Sequence, residues 1–313
     1  MLYFNTIEEK EEYYISGSSR IDDFENLVES VEKIHQKNSE RALFRGQPDA
    51  KFMLYSSLQR LWIDKHLEKH YDSYRQLIDN LIQTCKEWNF GLVSKYLKNA
   101  GWEENEMSIL SIMQHYGVPT PLLDFTYDIN KSLFFATENI DFAPPENEID
   151  RYFSIYYIFK NNSMLNIKDG VTGDLLSYGE DKNVIGKEDL DTTMKYDIIM
   201  IDNNDEAYRI QNNLNILNQE GAFIFNSSPS DPVEIHYHKW MKLFNRILEH
   251  KGEKNVKPGK VGGCLNINKK LAVRIKDYLR DKGIDRYSMF PDLNHMRTDC
   301  LNAEWQNITG KDT

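Results

Sequence analysis

The chain has 313 residues, 40% of them hydrophobic and 28% charged, which suffices for a packed core in one large domain or two ordinary ones and argues against wholesale disorder. Its formal net charge of -11 speaks against a general nucleic-acid or anionic-membrane surface, because neutralising phosphates takes a basic face. The three cysteines (Cys85, Cys264 and Cys300) lack zinc or disulfide spacing, no apolar run reaches membrane-spanning length, and Met1–Phe4 runs straight into the acidic Glu8–Glu12. The expected setting is therefore the cytoplasm, with reduced thiols and no signal peptide.

Residues 1–19 read as a polar lead-in ending in Ser16-Gly17-Ser18-Ser19. Ile21, Phe24, Leu27, Val31 and Ile34 then recur at helical spacing, with Asp22 or Ser19 as the cap. Arg41 to Gln47 is a short strand closed by Gly46 and Pro48. Arg45, at its end, carries the planar fork that suits a phosphate or carboxylate, beside a glycine that admits a close approach. The competing expectation is a surface arginine in an ion pair. An irregular connection through Ser56-Ser57 precedes a long helical region from about Leu67 to Tyr96, whose stripe of Tyr74, Leu77, Ile78, Leu81, Ile82 and Cys85 faces the core. His66 and His70 share a helical face there but have no carboxylate motif beside them, and they are expected to be solvated.

Met107–His115 is a short helix that Gly117 and Pro119 end. Leu122 to Tyr127 is a short strand in which Leu122, Asp124 and Thr126 share one face and Leu123, Phe125 and Tyr127 the other. An apolar helix follows over about Ile129–Asn139. The turn between the two helices thus gathers Gln114, His115, Asp124 and Thr126 among apolar neighbours, the usual make-up of a binding site on a rigid scaffold. Helix caps and a buried turn would use the same residues.

Beyond the acidic turn 141–150 the composition shifts toward strands. These are Tyr152–Lys160, Asp197–Asp202, Ala222–Phe225 and Gly262–Ile267. Residues 161–195 are loop-like, and Ile210–Leu217 is a short helix or turn. Val233–His238 is a further strand, the fourth of this half in chain order, or runs directly into a helix at Lys239–Leu248; as a strand it would pair His236 with His238. A mobile loop is expected over Lys251–Lys260. Asn268 caps a helix over Lys269–Arg280, Gly283 stops it, Met289-Phe290-Pro291 plugs the domain, and a last helix covers about His295–Trp305. No carboxylate cluster of the two-metal nuclease kind stands out, so no metal is expected.

Several of these segments carry a family resemblance. Leu43-Phe44-Arg45-Gly46-Gln47 with Ser57-Leu58-Gln59-Arg60 resembles the opening of the FRG domain, which is named for its Phe-Arg-Gly element. Gln114-His115-Tyr116-Gly117 through Leu122-Leu123-Asp124-Phe125-Thr126 to Leu133-Phe134-Phe135-Ala136 resembles its central signature. Gln219-Glu220-Gly221-Ala222-Phe223 and Gly283-Ile284 with Met289-Phe290-Pro291-Asp292-Leu293 are similar to its later elements, so that the motifs span about residues 20–295 of one domain. Two positions depart from the pattern. Pro121 replaces a basic residue, and Asn215-Ile216-Leu217 stands where an Arg is usual, with Arg209, Tyr208 or neither as a stand-in.

A looser resemblance, to ADP-ribosyltransferases of the arginine–serine–glutamate type, implies an α+β fold in which an N-terminal helical part packs on a mixed, mostly antiparallel split sheet. It also implies an NAD-using transferase of the toxin or defence-effector kind, with NAD or a related nucleotide as substrate and a macromolecular target. In that scheme Arg45, with Arg60, grips the pyrophosphate or the adenylate ribose. Glu220 or Gln219 sits by the ribose that becomes oxocarbenium-like, and Thr126 braces it with Asp124 nearby. His115 hydrogen-bonds a ribose or acts as a base, Tyr116 or Phe125 stacks on nicotinamide, and Gln114 and Thr120 complete the binding set. The alternative is a ligand- or protein-binding module on the same scaffold, in which Arg45 and Asp124 form a buried pair.

Overall fold

The computed structural model describes residues 1–37, 42–159, 170–189, 193, 195–201, 214–253 and 260–291. Seven strands form one sheet: β1 (Tyr14–Ile21), β2 (Ala42–Gln47), β3 (Leu122–Thr126), β4 (Tyr152–Phe159), β5 (Ile198–Ile201), β6 (Gly221–Asn226) and β7 (Gly262–Asn268). Their order is β1-β7-β4-β2-β3-β6-β5, antiparallel throughout except for the parallel pair β1 and β7. The helices are α1 (Phe24–Lys37), α2 (Ser57–Asp64), α3 (Tyr74–Asn99), α4 (Glu106–His115), α5 (Ile129–Glu138), α6 (Gly170–Asp181), α7 (Lys187–Asp189), α8 (Leu214–Asn218), α9 (Val233–His250), α10 (Ala272–Asp281) and α11 (Arg286–Met289). The architecture is α+β with a mixed sheet.

Both faces of the sheet are covered. On one face Leu43, Leu123, Ile158 and Ile224 pack against Val233, Tyr237 and Met241 of α9. On the other face two separate groups of helices lie side by side. Helices α2, α3 and α4 cover Leu122, Phe223 and Phe225, while α1, α5 and α10 cover Phe44, Ile155 and Leu265. Beneath the border between the two groups run β2 and β3. Strand β2 pairs with β4 along its whole length, and β3 likewise with β6. Between β2 and β3 the ladder has one pair, Phe44 with Thr126. The sheet is continuous only through that pair, and it parts beyond it.

Several expectations need correction. The lead-in is not a polar tail: Phe4, Ile7 and Tyr14 are buried, Glu8–Glu12 is a 3-10 turn, and residues 14–21 are the edge strand β1. Lys10 is fully buried, its Nζ donating to Ser154 Oγ at 2.8 Å and Asn266 Oδ1 at 2.9 Å. Asp23 serves the start of α1, accepting from Asn26 N at 2.8 Å, whereas Asp22 accepts from Asn268 Nδ2. Residues 170–181, expected as loop, are α6. His66 and His70 flank a 3-10 turn and share no α-helical face.

Val233–His250 is one helix, so His236 and His238 diverge by roughly 200° and cannot share a metal. His236 is instead a core residue whose Nδ1 lies 3.0 Å from Asn226 Oδ1 and whose Nε2 accepts from Trp240 Nε1 at 3.2 Å. Among the described residues no helix is long and apolar enough to cross a membrane. Tyr208, Arg209, Cys300, most of the Lys251–Lys260 loop and the His295–Trp305 helix lie outside the described residues.

Candidate functional site

A cavity of about 340 Å³ opens where β2 and β3 part, walled by the two groups of helices. Phe44 and Phe223 reach it from the two halves of the sheet, Gln114 and His115 from α4, Phe135 from α5, and Asn215 and Gln219 from α8 and the turn after it. That volume is at the lower end of the roughly 300–1,000 Å³ usual for small-molecule pockets.

Local sequence explains how these groups converge. Helix α4 starts on a capping box between Asn105 and Ser108 and ends after His115, where Gly117 takes φ 77° and its N–H returns to the Gln114 carbonyl. Gln114 and His115 thus sit on the last turn of a firmly terminated helix. Strand β2 passes so close beneath α5 that a Cβ on Gly46 would stand 2.1 Å from the Ser132 carbonyl oxygen and 2.7 Å from Ala136 N. The glycine after Arg45 therefore admits a helix, and that helix carries Phe135 into the cavity wall.

Arg45 lies at the parting of the strands. Its Nη1 donates to the Asp124 carbonyl at 2.6 Å and stands 3.8 Å from Asp124 Oδ2. The side chain thus makes a hydrogen bond across the gap where strand pairing has ended. Its Nε–H is buried with no acceptor among the described residues. Burial lowers the guanidinium's pKa from its ordinary value, Asp124 opposes that shift, and Arg60 adds to it.

The Asp124 side chain is 59% exposed, so this is no sealed ion pair. Its Oδ2 accepts from Gln114 Nε2 at 2.8 Å, and Gln114 Oε1 in turn accepts from the buried Thr120 hydroxyl at 2.5 Å. A line of hydrogen bonds from Thr120 through Gln114 therefore aims the carboxylate. Burial pushes the His115 imidazole below its ordinary pKa, which favours the neutral ring, and its Nδ1 faces the Asn215 amide at 3.5 Å.

Thr126, Gln219 and Glu220 are placed differently from one another. Thr126 lines the cavity but its hydroxyl is committed, donating to the Gln219 carbonyl at 2.6 Å and accepting from Asp128 N at 3.0 Å at the start of α5. Gln219 also lines the cavity, with its amide donating to the Met289 carbonyl at 3.0 Å. Glu220 takes φ 48°, a left-handed turn that carries its side chain to Lys131 Nζ at 2.9 Å and outside the cavity wall. Of the two alternatives for the group beside the ribose, Gln219 and not Glu220 lines the cavity.

Three further expected site residues also fall outside the wall. Arg60 is exposed, with Nη1 donating to the Tyr55 carbonyl at 3.3 Å, and Thr120 acts through Gln114. Tyr116 is 77% exposed and packs edge-on against His115. Phe135, Phe290 and Asn215 line the cavity without having been singled out as site residues. A legible signal existed for Asn215, since it opens the three-residue departure from the family pattern.

A family model of the FRG domain matches residues 40–143. The chain carries an FRG domain. Strands β2 and β3 and helices α2 to α5 lie within it, so the domain supplies Arg45, Gln114, His115, Asp124 and Thr126 to the cavity. Gln219, Asn215 and Phe290 close the cavity from beyond the matched stretch. No curated protein and no solved structure matches the chain.

Proposed function

We propose that the cleft of the FRG domain binds a nucleotide such as NAD and transfers its ADP-ribosyl group to an acceptor. The observation that carries this reading is the Arg45 guanidinium, a largely buried cation with a buried, unpartnered Nε–H, set beside the Asp124 carboxylate in one cavity. A buried donor left without an acceptor costs about 1–3 kcal/mol, and a ligand's phosphate oxygens would relieve that cost. Phe135 and Phe290 offer apolar rings to a base.

In this mechanism the bond between ribose C1′ and the nicotinamide nitrogen breaks, and its electron pair leaves with neutral nicotinamide. Positive charge builds on the ribose as in glycoside cleavage. Asp124, the carboxylate that lines the cavity, faces that charge, and Thr120 and Gln114 hold its direction. The acceptor's nucleophile bonds to C1′ and its proton passes to the neutral His115. Asp124 thereby takes the role first expected of Glu220 or Gln219.

A second reading, a ligand-binding module without turnover, draws support from the outward turn of Glu220 and the commitment of the Gln219 amide to Met289. Incubating the full chain with NAD, with and without cell lysate, and measuring released nicotinamide and label transfer distinguishes the two. Transfer predicts nicotinamide release that falls by about 100-fold or more in Asp124→Asn, the scale of losing one preorganised charge-stabilising group. NAD binding with no release supports the binding module and overturns the transferase.

A further inference from the structure

We propose that the corner of the broken helix α3 is a binding site for a neutral, planar aromatic small molecule. Four consecutive residues of α3, Trp88 to Gly91, leave helical geometry, with φ of 47° at Asn89, 58° at Phe90 and 74° at Gly91. Left-handed backbone is uncommon at residues other than glycine, so Asn89 and Phe90 mark a definite break in the helix. Here they kink α3 into two arms, residues 74–87 and 92–99. Between the arms and α4 lies a hollow of about 690 Å³.

The walls specify the guest. Leu81 and Cys85 come from the first arm, Val93 and Tyr96 from the second, and Met113 from α4. Trp88 and Tyr116 stand at the rim, 59% and 77% exposed. Among the described residues no Asp, Glu, Lys or Arg lines the hollow, so a charged guest would be desolvated without a partner. Apolar walls also give water few hydrogen-bond partners, and an apolar cavity of about 150 Å³ already takes a benzene-sized guest. Aromatic rim side chains favour a flat ring through offset or edge contacts. This site is distinct from the Arg45 cleft, touching it only at His115, which lines both, and the inference does not rest on the transferase reading.

The test uses N-phenyl-1-naphthylamine, a neutral aromatic dye that brightens on leaving water, titrated into the full chain. Expected is saturable, one-to-one uptake, weakened at least fivefold by the exposed-site changes Leu92→Ser and Tyr116→Ser at unchanged thermal midpoint. Cys85 supplies an independent readout. Burial raises its thiol pKa, so alkylation by iodoacetamide is run at alkaline pH and followed by peptide mass. Bound dye is expected to slow Cys85 alkylation at least fivefold. No saturable uptake, uptake that leaves Cys85 unprotected, or a dimer in sedimentation whose interface shields Cys85 and excludes the dye would each overturn the proposal.

Discussion

The Arg45 guanidinium meets Asp124 twice, at 2.6 Å to its backbone carbonyl and at 3.8 Å to its carboxylate, across the gap where β2 and β3 stop pairing. One contact is anchorage and the other leaves a carboxylate available in the cavity. The two residues therefore respond differently to substitution.

Asp124→Asn keeps the carbonyl that anchors Arg45 and an amide oxygen that can still accept from Gln114, while removing an exposed, solvent-screened charge. Its stability in urea unfolding is expected within about 1 kcal/mol of wild type. Arg45→Ala removes a largely buried side chain and its hydrogen bond, and is expected to cost about 1–3 kcal/mol. Equal losses for the two variants would mean that the carboxylate, not the carbonyl, anchors the arginine.

Gly46→Ala tests why the arginine is followed by glycine. The new methyl would collide with backbone atoms of α5, which a rotamer change cannot relieve. Overpacking of this kind costs about 1–3 kcal/mol, and the backbone clash puts the change at the upper end. Urea unfolding that leaves Gly46→Ala as stable as wild type would show that α5 shifts freely.

Two buried groups make stability depend on pH in opposite senses. Burial raises Glu234 to about 7, so the folded chain keeps a proton that the unfolded chain has released, and stability falls between about pH 4.5 and 7. Burial lowers His236 to about 4, so the unfolded chain binds a proton that the folded chain refuses, and stability rises between about pH 4 and 6.5. Each amounts to about 3 kcal/mol and the two offset each other in wild type. Denaturation across this range should show rising stability in Glu234→Gln and falling stability in His236→Gln. Parallel profiles in both variants would contradict the assignment.

The strands β2 to β7 were legible because aromatic and β-branched residues crowd into short runs bounded by turn residues. Strand β1 was not, since Ser16-Gly17-Ser18-Ser19 has little strand preference and becomes a strand through pairing with β7. Lys10, flanked by four glutamates, reads as solvated, and its burial follows only from the Ser154 and Asn266 acceptors contributed by distant strands. The N-terminal part of α9 was ambiguous because β-branched and aromatic residues mask a helical stripe that continues through Trp240 and Ile247.

Residue type and turn signals gathered Gln114, His115 and Asp124, the family resemblance added Arg45, and all four line the cavity. The choice between Gln219 and Glu220 was not legible, because adjacency says nothing about direction, which a single left-handed residue reverses. Asn215 and Phe290 reach the cavity by long-range folding, and for Asn215 the departure from the family pattern was the one signal in the sequence.

Glu220→Gln follows from the outward turn of that side chain. The Lys131–Glu220 pair has a well-exposed carboxylate, so the change is expected to alter stability by less than about 1 kcal/mol. It should leave nucleotide affinity unchanged in calorimetry. A loss of affinity would return Glu220 to the site.

Calorimetric titration of NAD into the full chain, wild type against Arg45→Met, addresses the central claim most directly. Saturable one-site binding that weakens at least tenfold in Arg45→Met, about 1.4 kcal/mol, is the result expected. Binding of equal strength in both proteins, or no binding to wild type, would contradict a nucleotide site at the parting of β2 and β3.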